Sequence, residues 1–235
     1  PFFFQAEDGI RDLVRSRGSE MCIRDRFIEY DTMKIAIIGS GIEVFSCGHR
    51  LLDLNSELEI HIFDEKAESG MYGEEPGIFS EWPLTPLSWY GNLFAQEPNE
   101  KSTAVRYSWF VKSLSISLAQ RGVNIHLKTV VKNIETGKIE FYGAGYKGSG
   151  NIVFDHVIDF REKNQENLWY GGVTLFETSS EITGMRPDRT MEVWSMEGEI
   201  EGNVLQKMVW SGENPITALT SRIDKGIEAA ESIIC

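Results

Sequence analysis

Residues 33–70, MKIAIIGSGIEVFSCGHRLLDLNSELEIHIFDEKAESG, run from an apolar stretch through a glycine-rich turn and a helix to a second apolar stretch that ends in an acid. Lys34 to Ile38 is short, β-branched and almost uniformly apolar, which is the composition of a central parallel strand buried on both faces. Gly39 and Gly41 let the chain turn sharply, so that Gly39, Ser40, Gly41 and Ile42 can bring backbone close to a pyrophosphate. Such an anion would sit where the following helix presents its free N–H groups and the positive end of its dipole. Leu58 to Phe63 reads as the second strand. Asp64 closes it 25 residues after Gly39, where an acid can accept hydrogen bonds from both hydroxyls of an adenosine ribose. Asp64 together with Glu65 would repel a 2′-phosphate, which disfavours NADP and leaves FAD or NAD.

The glycine pattern departs from GxGxxG at its third glycine, where this chain has Val44. That glycine normally permits close packing of helix on strand, so Val44 implies a displaced helix or a looser site. Glu43 is unusual beside a phosphate. It also completes Ser40-x-x-Glu43, the pattern of a capping box in which two side chains satisfy the first free N–H groups of the helix.

Residues 1–32 show no persistent apolar period, and Arg11, Arg15, Arg17, Arg24 and Arg26 are scattered after the only apolar cluster, unlike a signal peptide. The segment resembles the translated read-through of sequencing adapters that recurs at the ends of metagenomic gene models. It is expected to be a non-native or disordered arm, with the natural start at Met33 and one domain over 33–235. A formal charge of −13 argues against a nucleic-acid groove and against docking on anionic lipid. Three cysteines offer no disulfide framework, and the expected compartment is the cytoplasm. No apolar run approaches the roughly 20 residues that span a bilayer. The four histidines, His49, His61, His126 and His156, are dispersed without metal-ligand spacing.

Residues 71–103 are rich in Gly, Pro and aromatics and lack a period, which suggests a long binding loop or lid. Trp82, Trp89, Tyr90 and Phe94 could line a flat apolar pocket or could roof the core. Ala104 to Arg121 has helical spacing and stops at Gly122. Strands are expected at Val123 to Leu127, Lys128 to Ile134, Gly137 to Tyr142, Asn151 to Phe154 and His156 to Phe160. A small strand-rich lobe over 165–200 is read as a substrate or dimerisation element, able to pair across two subunits through Trp169 to Met196.

In this order the chain resembles the FAD-dependent oxidoreductases with a glutathione-reductase-type Rossmann fold, in particular the monooxygenase and halogenase branch. The residues that carry the resemblance are Arg106 at a helix start, Gly122-Val123 with Ile125, Thr129 with Val131 and Ile134, and the strand Asp155 to Asp159. At the C-terminal end, Val204 to Trp210 matches a strand, Gly212-Glu213 stands at a G-D dipeptide, and Lys225 to Ala230 supplies a G-x-x-A-A helix. The resemblance implies an α/β fold with a Rossmann-like parallel sheet that binds FAD or NAD, a β-meander and the small lobe. It implies Arg106 near the flavin or its phosphates, the Val131 backbone at the adenine, and Gly212 and Glu213 near the phosphates and ribityl chain. The glycine expected after Asp159 is replaced by Phe160, and a full substrate domain is missing.

The expected activity is that of a small FAD-dependent oxidoreductase, monooxygenase-like, on an aromatic or apolar small molecule. Without a second glycine motif, electrons would come from a partner reductase, light or free reductant. Acid or base candidates are Glu74, Glu75, Glu81, Tyr170 and Glu177, none singled out. A catalytically degenerate FAD-binding or partner-binding protein is one alternative, and an NAD-dependent dehydrogenase is another.

Overall fold

The computed structural model describes residues 32–70, 73–143, 148–161, 167–175 and 182–234. Apart from Thr32, the expected N-terminal arm lies outside the described residues, as does Glu177. Strand β1 (Lys34–Ile38) pairs in parallel with β2 (Glu59–Phe63) on one side and β7 (His156–Asp159) on the other. With β3 (Asn124–His126) beside β2, they form a four-stranded sheet in the order β3-β2-β1-β7.

Period-two alternation along β1 explains the layers. Ile35 and Ile37 join the core under the helices, while Ala36 and Ile38 join Phe63, Val131, Ile139, Phe141 and Phe154 under the meander. A central strand covered on both faces must be apolar on both, as the sequence of β1 indicates. The meander is β4 (Thr129–Glu135), β5 (Lys138–Gly143) and β6 (Ser149–Val153), antiparallel throughout.

The helices are α1 (Ile42–Leu54), α2 (Tyr107–Gln120) and α3 (Pro215–Ile234). Close approach of α1 and α3 depends on Gly226, because a side chain there would overlap the Glu43 carbonyl and stand 3.1 Å from the Cys47 amide nitrogen. Asn214 opens α3, its side-chain oxygen accepting the Ile216 amide at 3.0 Å.

A second, antiparallel sheet has the order β11-β8-β10-β9, comprising β8 (Leu168–Thr174), β9 (Ile182–Met185), β10 (Met191–Ser195) and β11 (Val204–Ser211). The strands of the expected lobe are thus joined edge to edge with the C-terminal strand β11. Trp169, Trp194, Met208 and Trp210 pack there with Ile78 and Ala104. Arg186 and Glu192 form an ion pair inside this layer, with side chains 3% and 0% exposed, and Glu192 also accepts from the Gly77 amide and the Trp194 indole.

The loop after β2 covers the helical core. Trp89 and Tyr90 are buried, and Trp82 packs against Phe79, Tyr90 and Phe110 with ring centroids 5.2–5.7 Å apart. Of the two readings of these aromatics, roofing the core holds for Trp82, Trp89 and Tyr90, whereas Phe94 is exposed. Among the described residues, no helix is long and apolar enough to cross a membrane and no cluster of ligands could hold a metal ion.

Candidate functional site

A cleft of about 430 Å³ opens where β1, β2 and β7 end. The chain ends are tied together there: Gly39 donates its amide to the Phe63 carbonyl (3.1 Å), Phe160 donates to Ile38 (2.8 Å), and Thr129 donates to Asp64 (2.9 Å). Gly39 has φ of +140°, a conformation that a side chain resists, and a Cβ there would come within 2.9 Å of Val44 Cγ2. Val44 therefore occupies the room that a third glycine would leave open. It is fully buried, in the helical core.

Of the residues expected from the sequence to bind a cofactor, Gly39, Ser40, Gly41, Glu65 and Val131 line the cleft. Ile42 and Asp64 adjoin it in the chain without lining it. The Ile42 amide is engaged by the Tyr107 hydroxyl at 3.2 Å. Asp64 is fully buried. One carboxylate oxygen accepts the Lys66 amide at 2.8 Å, and the other has no hydrogen-bond partner. Burial pushes its carboxyl up from 3.8 to about 6, although the Lys66 amide pulls the other way.

Three expected site residues lie elsewhere. Arg106 stands at the start of α2 and donates to Glu74 at 2.9 Å, with its guanidinium 5.8 Å from the Trp109 ring. Glu74 is buried and also accepts from the Ser108 amide and hydroxyl, so it anchors the first turn of α2. Gly212 donates its amide to the Asn167 carbonyl and accepts the Trp169 indole N–H at its own carbonyl, and exposed Glu213 receives the Trp210 indole at its carbonyl. Of the remaining acid or base candidates, Glu81 is exposed and Tyr170 half-buried on β8.

The capping box is not formed. The N-cap of α1 is Gly41, which has no side chain to cap with, rather than Ser40, and the Glu43 carboxylate is turned to an arginine from the far end of the chain. Arg222 Nε donates to Glu43 at 2.8 Å and Nη2 at 3.1 Å, while Nη1 donates to Glu75. The guanidinium also lies 5.1 Å from the Trp210 ring and 5.8 Å from that of Tyr107. Its neighbours hold the Arg222 pKa well above the ordinary value against the opposing effect of burial, and burial drives the Tyr107 phenol up.

Arg222 escaped the sequence reading, although a signal existed. Pro215, Ala218, Leu219, Arg222, Ile223, Gly226 and Ala230 form the buried stripe of α3, and a lone charge on such a stripe requires a buried partner. Arg161 was also missed. It is fastened to Asp159 through Nε and Nη2 and donates Nη1 to the Val131 carbonyl at 2.9 Å. The cations lining the cleft are Lys66, Arg161 and Arg222, and the anions are Glu43, Glu65 and Glu75.

The fold and cleft define a mixed α/β protein whose parallel sheet carries a glycine turn at the mouth of a cleft. No protein-family model matches the chain, and no curated protein matches it in sequence. Among solved structures it is similar to CabE, an aromatic hydroxylase from angucycline biosynthesis, with a TM-score of 0.51 and 12% identity over 80% of this chain and 47% of that one. It is also similar to PyrE3, a Diels-Alderase of pyrroindomycin biosynthesis, with a TM-score of 0.54 and 8% identity over 86% of this chain and 66% of that one. CmlS, a flavin-dependent halogenase, matches at a TM-score of 0.46 and 16% identity over 86% of this chain and 45% of that one. The first two likenesses establish the fold. The chain spans about half the length of CabE.

Proposed function

We propose that this chain is a Rossmann-like FAD-binding protein of the flavin-dependent oxidoreductase kind, acting on an aromatic or apolar small molecule. The observation that carries the reading is the cleft at the ends of β1, β2 and β7. It is entered by a glycine turn with Gly39 at positive φ and is lined by Val131, and Asp64, between the lining residues Phe63 and Glu65 in the chain, has a buried carboxylate oxygen with no donor. Crevices at the C-terminal ends of parallel strands are where such sheets bind ligands. A ribose hydroxyl would supply the donor that Asp64 lacks, with Glu65 on the rim beside it. Gly39 and Ser40 would meet phosphate through backbone, and the Val131 strand would border the adenine. Bound FAD would supply the redox chemistry, and the protein orientation and a dry, charged surround. An aromatic substrate is favoured by the fold likeness to an aromatic hydroxylase, and electrons would come from a reductase partner or free reductant.

A second reading has its own support. Phe160 stands where a glycine would widen the cleft, and its Cβ lies 3.3 Å from the Cβ position of Gly39. That crowding favours a degenerate scaffold that has kept the fold without the reaction. The visible absorption spectrum of the purified chain, with mass spectrometry of any released nucleotide, separates the two. A two-banded flavin spectrum with stoichiometric FAD is expected. A colourless protein that also ignores added FAD would refute the flavoprotein reading.

A further inference from the structure

Gly41 is the loop glycine whose missing side chain should leave room for phosphate against the backbone. In this protein that room is filled from within: a Cβ on Gly41 would overlap Nη2 of Arg222 and the Glu43 carboxylate. The cation expected in this role, Arg106, is drawn away to Glu74. Arg222 is the cation that lies over the glycine turn, and it is already held by two carboxylates. We propose that Arg222 is the ligand for the cofactor's diphosphate, and that Glu43 and Glu75 compete with the diphosphate for it.

The inference rests on the FAD reading and adds a determinant of affinity to it. Charge decides the argument. One guanidinium and two carboxylates sum to a single negative charge at the turn, and a diphosphate ester brings about two more. Three anionic groups around one largely buried arginine repel strongly where water cannot screen them. Bidentate guanidinium geometry suits phosphate as well as carboxylate, so diphosphate can replace a carboxylate but cannot simply be added.

The two glutamates are not equal. Glu43 is set in the first turn of α1 with its side chain 5% exposed, whereas Glu75 belongs to the loop after β2 and is 19% exposed. Glu75 is the arm that can swing out. Glu43 is the fixed neighbour that orients the guanidinium and lowers its attraction for any anion.

Calorimetric titration of the full chain with FAD, ADP and adenosine tests this, with circular dichroism and the thermal midpoint as checks on folding. Glu75→Gln should tighten FAD and ADP by about tenfold or more, because one like charge is removed and the arginine is released. Adenosine, which has no phosphate, should bind with unchanged affinity. Glu43→Gln should shift FAD and ADP in the same direction and serves if the first variant folds poorly. Adding Arg222→Gln to Glu75→Gln should abolish the gain. If the unaltered chain binds FAD and neither glutamine variant binds it more tightly, the competition is wrong while the FAD reading stands. Equal tightening of adenosine would also overturn it, since the change would then be a general opening of the cleft. If the chain and both variants bind neither FAD nor adenosine, the FAD reading falls and the inference falls with it.

Discussion

Two buried groups in this protein should give stability opposite dependences on pH over nearly the same range. His49, fully buried in α1, donates Nε2–H to the Leu114 carbonyl at 3.0 Å and accepts from Arg121 at Nδ1 at 2.9 Å, stacked on Trp89. Arginine can only donate, so this is the neutral tautomer, and a second ring proton would face the guanidinium. Burial is the main reason that its pKa falls from 6.5 to about 4. Between those values the unfolded chain binds the extra proton, so His49 makes the fold more stable as pH rises. Asp64 works in reverse. Its pKa rises from 3.8 to about 6, the folded chain holds the extra proton, and its contribution is present below 3.8 and lost as pH rises through 6. Each gap corresponds to about 3 kcal/mol, so in the unaltered protein the two largely cancel. Urea unfolding from pH 4.5 to 7 should expose them one at a time. Over that range the stability of Asp64→Asn minus that of the unaltered chain should climb by about 2 kcal/mol as pH rises, and the same difference for His49→Gln should fall by a similar amount. A difference that stays flat with pH for either variant would refute the burial argument for that residue.

Three further outcomes follow from packing and charge. Gly226→Ala should separate α1 from α3 and lower stability by about 1–3 kcal/mol, visible as a lower urea midpoint, whereas an unchanged midpoint would mean that the helices slide freely. Arg186→Met strips the counter-charge from fully buried Glu192 and should cost about 3–5 kcal/mol, read from the same unfolding curves. Burial pushes the Cys47 thiol up to about 12, so iodoacetamide at pH 8 should leave the Cys47 peptide unmodified until denaturant is added. Rapid alkylation without denaturant would show that α1 opens from the sheet.

The fold was legible where local chemistry decides it. The apolar run of β1 has the observed bounds, and β2, α2 and the meander fall within a few residues of expectation, because period and turn residues carry their own instructions. The lobe over 165–200 could not be placed, since a run of short strands does not state which edge it will join. Here β8 lies between β10 and β11, so residues 168–174 and 204–211 share one sheet.

The site was legible in part for the same physical reason. Gly39, Ser40 and Gly41 are a contiguous turn, and Val131 follows from a strand pattern, so each reaches the cleft by local geometry. Arg106 had the right position in the chain, but buried Glu74 holds it, and no spacing rule reports which carboxylate an arginine will choose. The pairing of Glu43 with Arg222 spans 179 residues and exists only because Gly226 lets α3 lie close on α1. Motif matching reads Glu43 against its near neighbours and finds a capping box. The stripe of α3 supplies the correction: an arginine among Leu219, Ile223 and Gly226 is stable inside the protein only if an acid meets it there. The positive charge that lies against the glycine turn therefore enters from α3, outside the turn itself. Substitutions on α3 and Glu75 should consequently shift diphosphate affinity while Gly39, Ser40 and Gly41 remain intact.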